Sequence, residues 1–240
     1  MKKLGNIVIL TGAGISQESG LGTFRGPEGL WENHRVEDVA TPEAFERDPS
    51  LVYRFYNQRR ENLKNVFPNQ AHFALAKLEA DFEGSFTLIT QNIDNLHERA
   101  GNKKILHMHG EATKARCFKC GAIHDWVEAF DEKSICPECK DVSSLRPHIV
   151  WFGEMPFFMN EIQYALNKAD VFISIGTSGN VYPAAGFIAQ IRDLGQTLSV
   201  ELNMEPSEGS HMFERSHRGL ATKIVPKFVD QILSGELDDK

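Results

Sequence analysis

Four cysteines, Cys117, Cys120, Cys136 and Cys139, stand as two C-x-x-C pairs separated by fifteen residues, and the 240-residue chain has no other cysteine. Each pair lies in turn-forming sequence, Cys117-Phe118-Lys119-Cys120-Gly121 and Cys136-Pro137-Glu138-Cys139. Four thiolates at this spacing can converge on one tetrahedral zinc ion. A closed four-sulfur shell leaves no coordination position for a substrate, so the spacing predicts a structural Zn2+ and places the chemistry elsewhere. Two disulfides or a redox pair are the alternatives. Disulfides need an oxidising compartment, and the start of the chain offers only Met1-Lys2-Lys3 and the short apolar run Ile7 to Leu10, too little for a secretory leader.

The second group with chemical potential is Gly12-Ala13-Gly14, directly after that apolar run. Glycines between a strand and a helix let backbone amides approach a pyrophosphate at the helix N-terminus. The third glycine of the usual dinucleotide fingerprint is missing, since Gln17 holds its place and the next glycine is Gly20. That departure argues against an ordinary hydride-transferring dehydrogenase, and a tight turn without a ligand is the plain alternative.

Short apolar runs must position these residues. Ile7 to Leu10, Phe86 to Ile89, Val171 to Ile175 and Leu198 to Leu202 are β-branched and end in Thr11-Gly12-Ala13-Gly14, Thr90-Gln91-Asn92, Gly176-Thr177-Ser178 and Asn203. Between them Asn69 to Ala80, Asn160 to Ala169 and Pro183 to Leu194 carry helical spacing. The alternation predicts an α/β fold, a Rossmann-like doubly wound parallel sheet whose strand C-termini hold the ligand. Two segments interrupt it: a helical stretch from Pro42 to Phe67, and the cysteine module. The expected division is a Rossmann-like dinucleotide-binding domain of residues 1–36, 70–114 and 147–240. A small domain then combines the helical insertion 37–69 with the zinc-binding module 115–146.

Twenty-six basic against thirty-three acidic residues give a formal charge of −7, which disfavours nonspecific attraction to nucleic acid or anionic membrane. The sequence has no apolar stretch of roughly 18 residues that could span a bilayer. A soluble, cytoplasmic monomer is expected, with no stable nucleic-acid partner and no membrane partner.

Gly12-Ala13-Gly14-Ile15-Ser16-Gln17-Glu18-Ser19-Gly20 with Thr23-Phe24-Arg25, then Thr90-Gln91-Asn92-Ile93-Asp94-Asn95-Leu96-His97, His109-Gly110, and Gly176-Thr177-Ser178 follow one another in order, with the cysteine pairs between the last two. In this set the chain resembles the sirtuins, the NAD-dependent protein lysine deacylases. The resemblance runs from Ile7 to about Ile232. Ala40-Thr41-Pro42, Phe55-Tyr56-Asn57-Gln58-Arg59-Arg60 and Arg146-Pro147-His148-Ile149-Val150-Trp151-Phe152-Gly153-Glu154 are most similar to the bacterial branch and to relatives that prefer acidic acyl groups.

The resemblance implies NAD as co-substrate and acyl-lysine proteins or peptides as partners. The acyl oxygen attacks C1′ of the nicotinamide ribose; nicotinamide, O-acyl-ADP-ribose and free lysine result. His109 is the implied base, since an imidazole can accept a hydroxyl proton near neutrality. His107 lacks a following glycine and is given no catalytic part. Asn92 and Asp94 are implied to orient water and ribose; as alternate residues at a strand end they would share one face, and an Asx-turn or helix N-cap is the equally available alternative. The family assigns Gly12, Ala13, Gly14, Ser16, Glu18, Thr23, Phe24, Arg25, Trp31, Gln91, Ile93, Gly176, Thr177, Ser178, Asn203, Glu205 and Ala221 to the cofactor. Ala13, Gly14 and Ser16 are expected to supply donors to the phosphates. Tyr56 and Arg59, i and i+3 on a helix, can share a pocket and grip an acyl carboxylate, beside Ala40; a surface pair is the alternative. Val150, Trp151, Phe152, Gly153 and Glu154 are expected to line the peptide cleft. Desuccinylase and demalonylase activity is expected beside deacetylase activity. Mono-ADP-ribosyl transfer, or an NAD-binding zinc protein without deacylase activity, is the rival reading.

Overall fold

The computed structural model describes residues 4–22, 30–31 and 34–239. Its main sheet has six strands in the order β11-β10-β9-β1-β4-β5. They are β1 (Asn6–Thr11), β4 (Ser85–Thr90), β5 (Ile105–His107), β9 (Val171–Ile175), β10 (Leu198–Asn203) and β11 (Arg215–Arg218). Every pairing is parallel. A parallel sheet is covered on both faces, so its strands are apolar throughout rather than alternating. Alternate side chains of β1 enter different cores: Ile7 and Ile9 pack on one face with Leu75 of α4 (Gln70–Asp81) and Phe228 of α8 (Ala221–Leu233). Val8 and Leu10 pack on the other with Leu166 of α6 (Met159–Lys168) and Ile188 of α7 (Phe187–Leu194).

Helix boundaries follow local chemistry. Asn69 caps α4, accepting from the Ala71 amide at 2.9 Å, while His72 accepts from the Asn69 amide. The expected helix from Pro42 to Phe67 is two helices, α2 (Pro42–Arg47) and α3 (Pro49–Lys64). A proline drives the residue before it out of the helical region, and Asp48 breaks the chain there, then caps α3 through the Leu51 amide at 2.9 Å. Pro183 to Leu194 likewise starts as a 3-10 turn, Ala184–Gly186, and only then becomes α7. The glycine-rich turn departs further: Ala13–Ile15 and Gln17–Ser19 are two short 3-10 turns where a helix is expected.

A three-stranded antiparallel sheet of β6 (Gly110–Cys117), β7 (Ile123–Asp125) and β8 (Leu145–Ile149) runs from the edge of the main sheet to the cysteines. Nearby lie the short pair β2 (Leu30–Trp31) and β3 (His34–Arg35), followed by α1 (Val36–Val39), and α5 (Leu96–Ala100) follows β4. Aromatic rings fill this second core. Tyr53 meets Phe130 at 5.4 Å and Phe45 at 5.3 Å; Phe45 meets Trp151 at 5.2 Å. No helix among the described residues is long and apolar enough to cross a membrane.

Gly110 joins the two sheets at φ +83°, and a Cβ there would stand 2.1 Å from the His148 carbonyl oxygen. Gly121 has φ +78° but open space around it. Gly110→Ala is expected to cost about 3 kcal/mol or more, combining backbone strain with a clash, and Gly121→Ala about 1 kcal/mol. Urea midpoints at unchanged m-value measure both.

Candidate active site

The chain runs outward from β1 to β4 and β5, then returns to the other side of β1 as β9. The strand order therefore reverses between β1 and β9, where an open α/β sheet leaves a crevice at its carboxyl edge. A cavity of about 570 Å³ lies there. Gly12 and Gly14 leave β1 so close to Gly176 that added Cβ atoms would lie 2.8 and 2.7 Å from its backbone. The Gly14 amide, expected as a phosphate donor, instead donates to the Gly176 carbonyl at 2.8 Å. These glycines first of all let two strand exits interlock.

Gln91 to Asp94 form a loop beyond β4 rather than a strand continuation, yet Asn92 and Asp94 still converge on Ser16. Asn92 Nδ2 donates to Gly12 O at 3.1 Å and lies 3.3 Å from Ser16 Oγ; Ser16 Oγ donates to Asp94 Oδ2 at 3.0 Å. Asp94 Oδ1 accepts from the Leu96 amide at 3.1 Å, so this carboxylate makes the Asx-type turn and faces the cavity as well. Burial pushes its pKa up, against the Leu96 and Ser16 hydrogen bonds. Gln91 Nε2 donates to Thr177 Oγ1 at 3.0 Å, and Asn203 Nδ2 to Thr177 O at 2.8 Å, which ties three strand exits together.

His109 is half-buried, with Nδ1 3.0 Å from the Gln91 carbonyl oxygen. A carbonyl only accepts, so Nδ1 carries the hydrogen and Nε2 keeps its lone pair. Desolvation lowers the pKa of this imidazole despite that hydrogen bond, keeping it neutral. Val150 N donates to His109 O and Phe152 N to Ala40 O, each at 2.9 Å, so the segment after β8 is stretched across the cavity mouth. Tyr56 is fully buried and its hydroxyl oxygen accepts from Trp151 Nε1 at 3.1 Å; burial raises the phenol's pKa, leaving it a donor. Arg146 lies 3.3 Å over the Trp151 ring and grips Glu154 through two nitrogens at 2.6 and 2.9 Å. Arg59 stacks 3.5 Å over Phe55 at the same wall.

Gly12, Ala13, Gly14, Ser16, Trp31, Gln91, Asn92, Ile93, Asp94 and His109 line the cavity, as do Gly176, Thr177, Ser178, Asn203 and Glu205. Ala40, Tyr56, Arg59 and Val150 to Glu154 line it from the side of the second core. Glu18 and Ala221 do not. Glu18 holds the start of α8, accepting from the Thr222 amide at 2.9 Å and its hydroxyl at 2.7 Å. Thr23, Phe24 and Arg25 lie outside the described residues. Motif reasoning missed Gln17, Leu21, Asn62, Leu63, Tyr182 and Met204, which also line the cavity. Asn62 and Leu63 follow Arg59 at i+3 and i+4, a helical spacing that could have found them.

Away from the cavity, the four cysteine sulfurs lie within 4.8 Å of one another. Cys117 and Cys139 Sγ are 3.8 Å apart, as are Cys120 and Cys136. A tetrahedron with zinc–sulfur bonds of about 2.3 Å has edges of about 3.8 Å, so the sulfurs already stand at the spacing a zinc ion requires and beyond disulfide length. Against desolvation, Ser144 and the amides of Cys120 and Lys119 pull the Cys117 thiol down to about 6.

A profile of the Sir2 family matches residues 12–183, well over half the chain, and the chain belongs to that family. The NAD-dependent protein deacylase of Yersinia pseudotuberculosis serotype I (strain IP32953) is 56% identical over 230 residues, 95% of this chain and 82% of that protein. A solved Sir2 homolog–NAD complex superposes with a TM-score of 0.87 at 37% identity, covering 97% of this chain and 91% of that one. A Sir2–p53 peptide–NAD+ structure gives 0.77 at 29% identity, covering 97% and 94%.

One zinc per chain is expected by elemental analysis of the purified protein, and none in Cys136→Ala. Chelation should raise amide exchange across Gly110–Ile149 while β1, β4 and β9 keep their protection.

Proposed function

We propose that the protein is an NAD-dependent protein lysine deacylase that removes acidic acyl groups as well as acetyl groups. One observation carries this: a single cavity joins four strand exits and a neutral His109 to a wall built of Tyr56 and Arg59. The relatives' name and the Sir2 complexes with NAD and with a p53 peptide support the reaction class and both ligand classes. The donor set fits a dinucleotide, with small residues and side-chain donors from β1, β9 and β10 at one end and His109, Asn92 and Asp94 at the other. Bound there, NAD supplies an activated glycosyl carbon to the acyl-lysine.

His109 Nε2 is placed to accept a ribose hydroxyl proton, and the Gln91 carbonyl fixes its ring and tautomer. Asn92 and Asp94, cross-braced by Ser16, orient the ribose side of the site and resist its charge. Gly176, Thr177, Ser178, Asn203 and Glu205 take the phosphate and adenosine half. Residues 37–69 and 115–146 act as the small domain, over residues 1–36, 70–114 and 147–240, and the zinc keeps that lobe folded. Val150 to Gly153 offer backbone to an extended peptide, which can add as a strand. Tyr56 O–H and the Arg59 guanidinium meet the acyl carboxylate; Ala40 leaves it room.

Acetyl- and succinyl-lysine peptides should both lose their acyl group only with NAD, releasing nicotinamide, and His109→Tyr should abolish both reactions while NAD still binds. Because the neutral imidazole is the working form, kcat/KM should fall as pH drops through a His109 pKa below the ordinary 6.5. Intact peptide after incubation with folded, zinc-loaded protein and NAD would refute the reading.

Charge-assisted hydrogen bonds are worth about 1.5 to 3 kcal/mol each. Tyr56→Phe and Arg59→Met should therefore lower succinyl turnover about tenfold or more relative to acetyl turnover. Equal losses on both peptides would remove the pair from acyl selection.

A further inference from the structure

Two imidazoles hold two consecutive carbonyls of the Gln91–Asp94 loop. His109 Nδ1 takes Gln91 O, as described, and His107 Nδ1 lies 3.4 Å from Asn92 O. On the other side of its ring, His107 Nε2 lies 2.5 Å from Glu98 Oε1 on α5. His107 is the last residue of β5, paired in register with Thr90, and is only 5% exposed. A neutral imidazole carries one N–H. A carbonyl oxygen and a carboxylate oxygen are both acceptors, so a ring that serves both must be protonated at both nitrogens.

We propose that His107, as an imidazolium strung between Glu98 and the Asn92 carbonyl, is a positioning residue that fixes the Gln91–Asp94 loop in the geometry that binds NAD. This rests on the deacylase reading above, and it gives work to a buried charge for which the reaction itself has none.

The surroundings favour the charged ring. Glu98 faces it from α5 and Glu111 from β6, the latter shared with Lys114 Nζ at 2.8 Å. Asp94 on the loop and His97 on α5 feel its charge, as does His148 on β8. Desolvation opposes protonation, but Glu98 and Glu111 prevail and the pKa is raised. The same positive charge helps keep the buried Asp94 ionised. Two histidines two residues apart are thus driven in opposite directions, His109 towards the neutral form a base needs and His107 towards the charged form an anchor needs. The sign for pH follows: anchoring is complete below the His107 pKa and is lost as pH rises through it.

The test compares the full-length parent, Glu98→Gln and His107→Gln, each zinc-loaded, with an acetyl-lysine peptide and NAD varied at a series of pH values. Glu98 is exposed, so its amide variant leaves the core unchanged. Removing one anchoring hydrogen bond should raise the KM for NAD about fivefold in each variant, with kcat at saturating NAD changed much less. In the parent the KM for NAD should rise at alkaline pH; in Glu98→Gln that rise should begin at lower pH, and in His107→Gln it should vanish. A variant with a lowered Tm but the parent's KM and pH profile would show a purely structural ion pair and overturn the inference. A parent that releases no nicotinamide would instead refute the deacylase reading, whatever the variants do.

Discussion

Backbone rests directly on backbone where β1 and β9 leave the sheet, and there is no room at that contact for a side chain. A Cβ on Gly176 would stand 2.5 Å from the Ile15 amide nitrogen, just as those on Gly12 and Gly14 would strike Gly176. The two exits can touch only because three glycines meet. Their contact sets where Thr177 stands, and Thr177 receives Gln91 from β4 and Asn203 from β10. Four loops that are far apart in sequence thereby become one rigid rim, on which side chains can be aimed.

Beneath that rim Ser16, Asn92, Asp94 and His72 form one connected polar set. Ser16 binds Asp94 and Asn92, and His72 Nε2 lies 3.4 Å from Ser16 Oγ with its own pKa lowered by burial to about 4. An unpaired group here would cost more than its partner contributes, so the loops hold their places before any ligand arrives. The opposite wall uses the same logic with larger side chains, as Glu154 collects Arg146 and Arg116 and the Trp151 amide. Preorganisation of this kind leaves little to be arranged when a ligand enters the cavity.

Much of this was legible in the sequence where one physical reason dominated. β-Branched runs with glycine or amide exits marked β1, β4, β9 and β10 to within a residue, because a strand buried on both faces admits little else. The C-x-x-C pairs marked the convergence of the four sulfurs for a similar reason. Edge strand β11, Arg-Ser-His-Arg, has no apolar pattern and owes its place to pairing with β10. Helix α8 had a readable stripe in Val225, Phe228, Val229 and Ile232, interrupted by Pro226. Glu18 sits inside the glycine-rich motif yet caps α8 more than two hundred residues on, a tertiary contact that no local spacing reveals. The two partners of Asp94 were equally hidden, since the turn explains why one oxygen takes the Leu96 amide but not why the other takes Ser16 from the glycine-rich motif.

Rings run without interruption from the four-cysteine cluster to the Tyr56 wall of the cavity. Tyr53 packs with Cys117 and Cys136, touches Phe45, and Phe45 touches Trp151, whose indole N–H fixes the Tyr56 hydroxyl. The four sulfurs lie away from the cavity but belong to the same packed core as its Tyr56 wall. A displacement of the four-cysteine turn would therefore reach the Tyr56 hydroxyl through ring packing, with the Trp151 indole N–H as the last link.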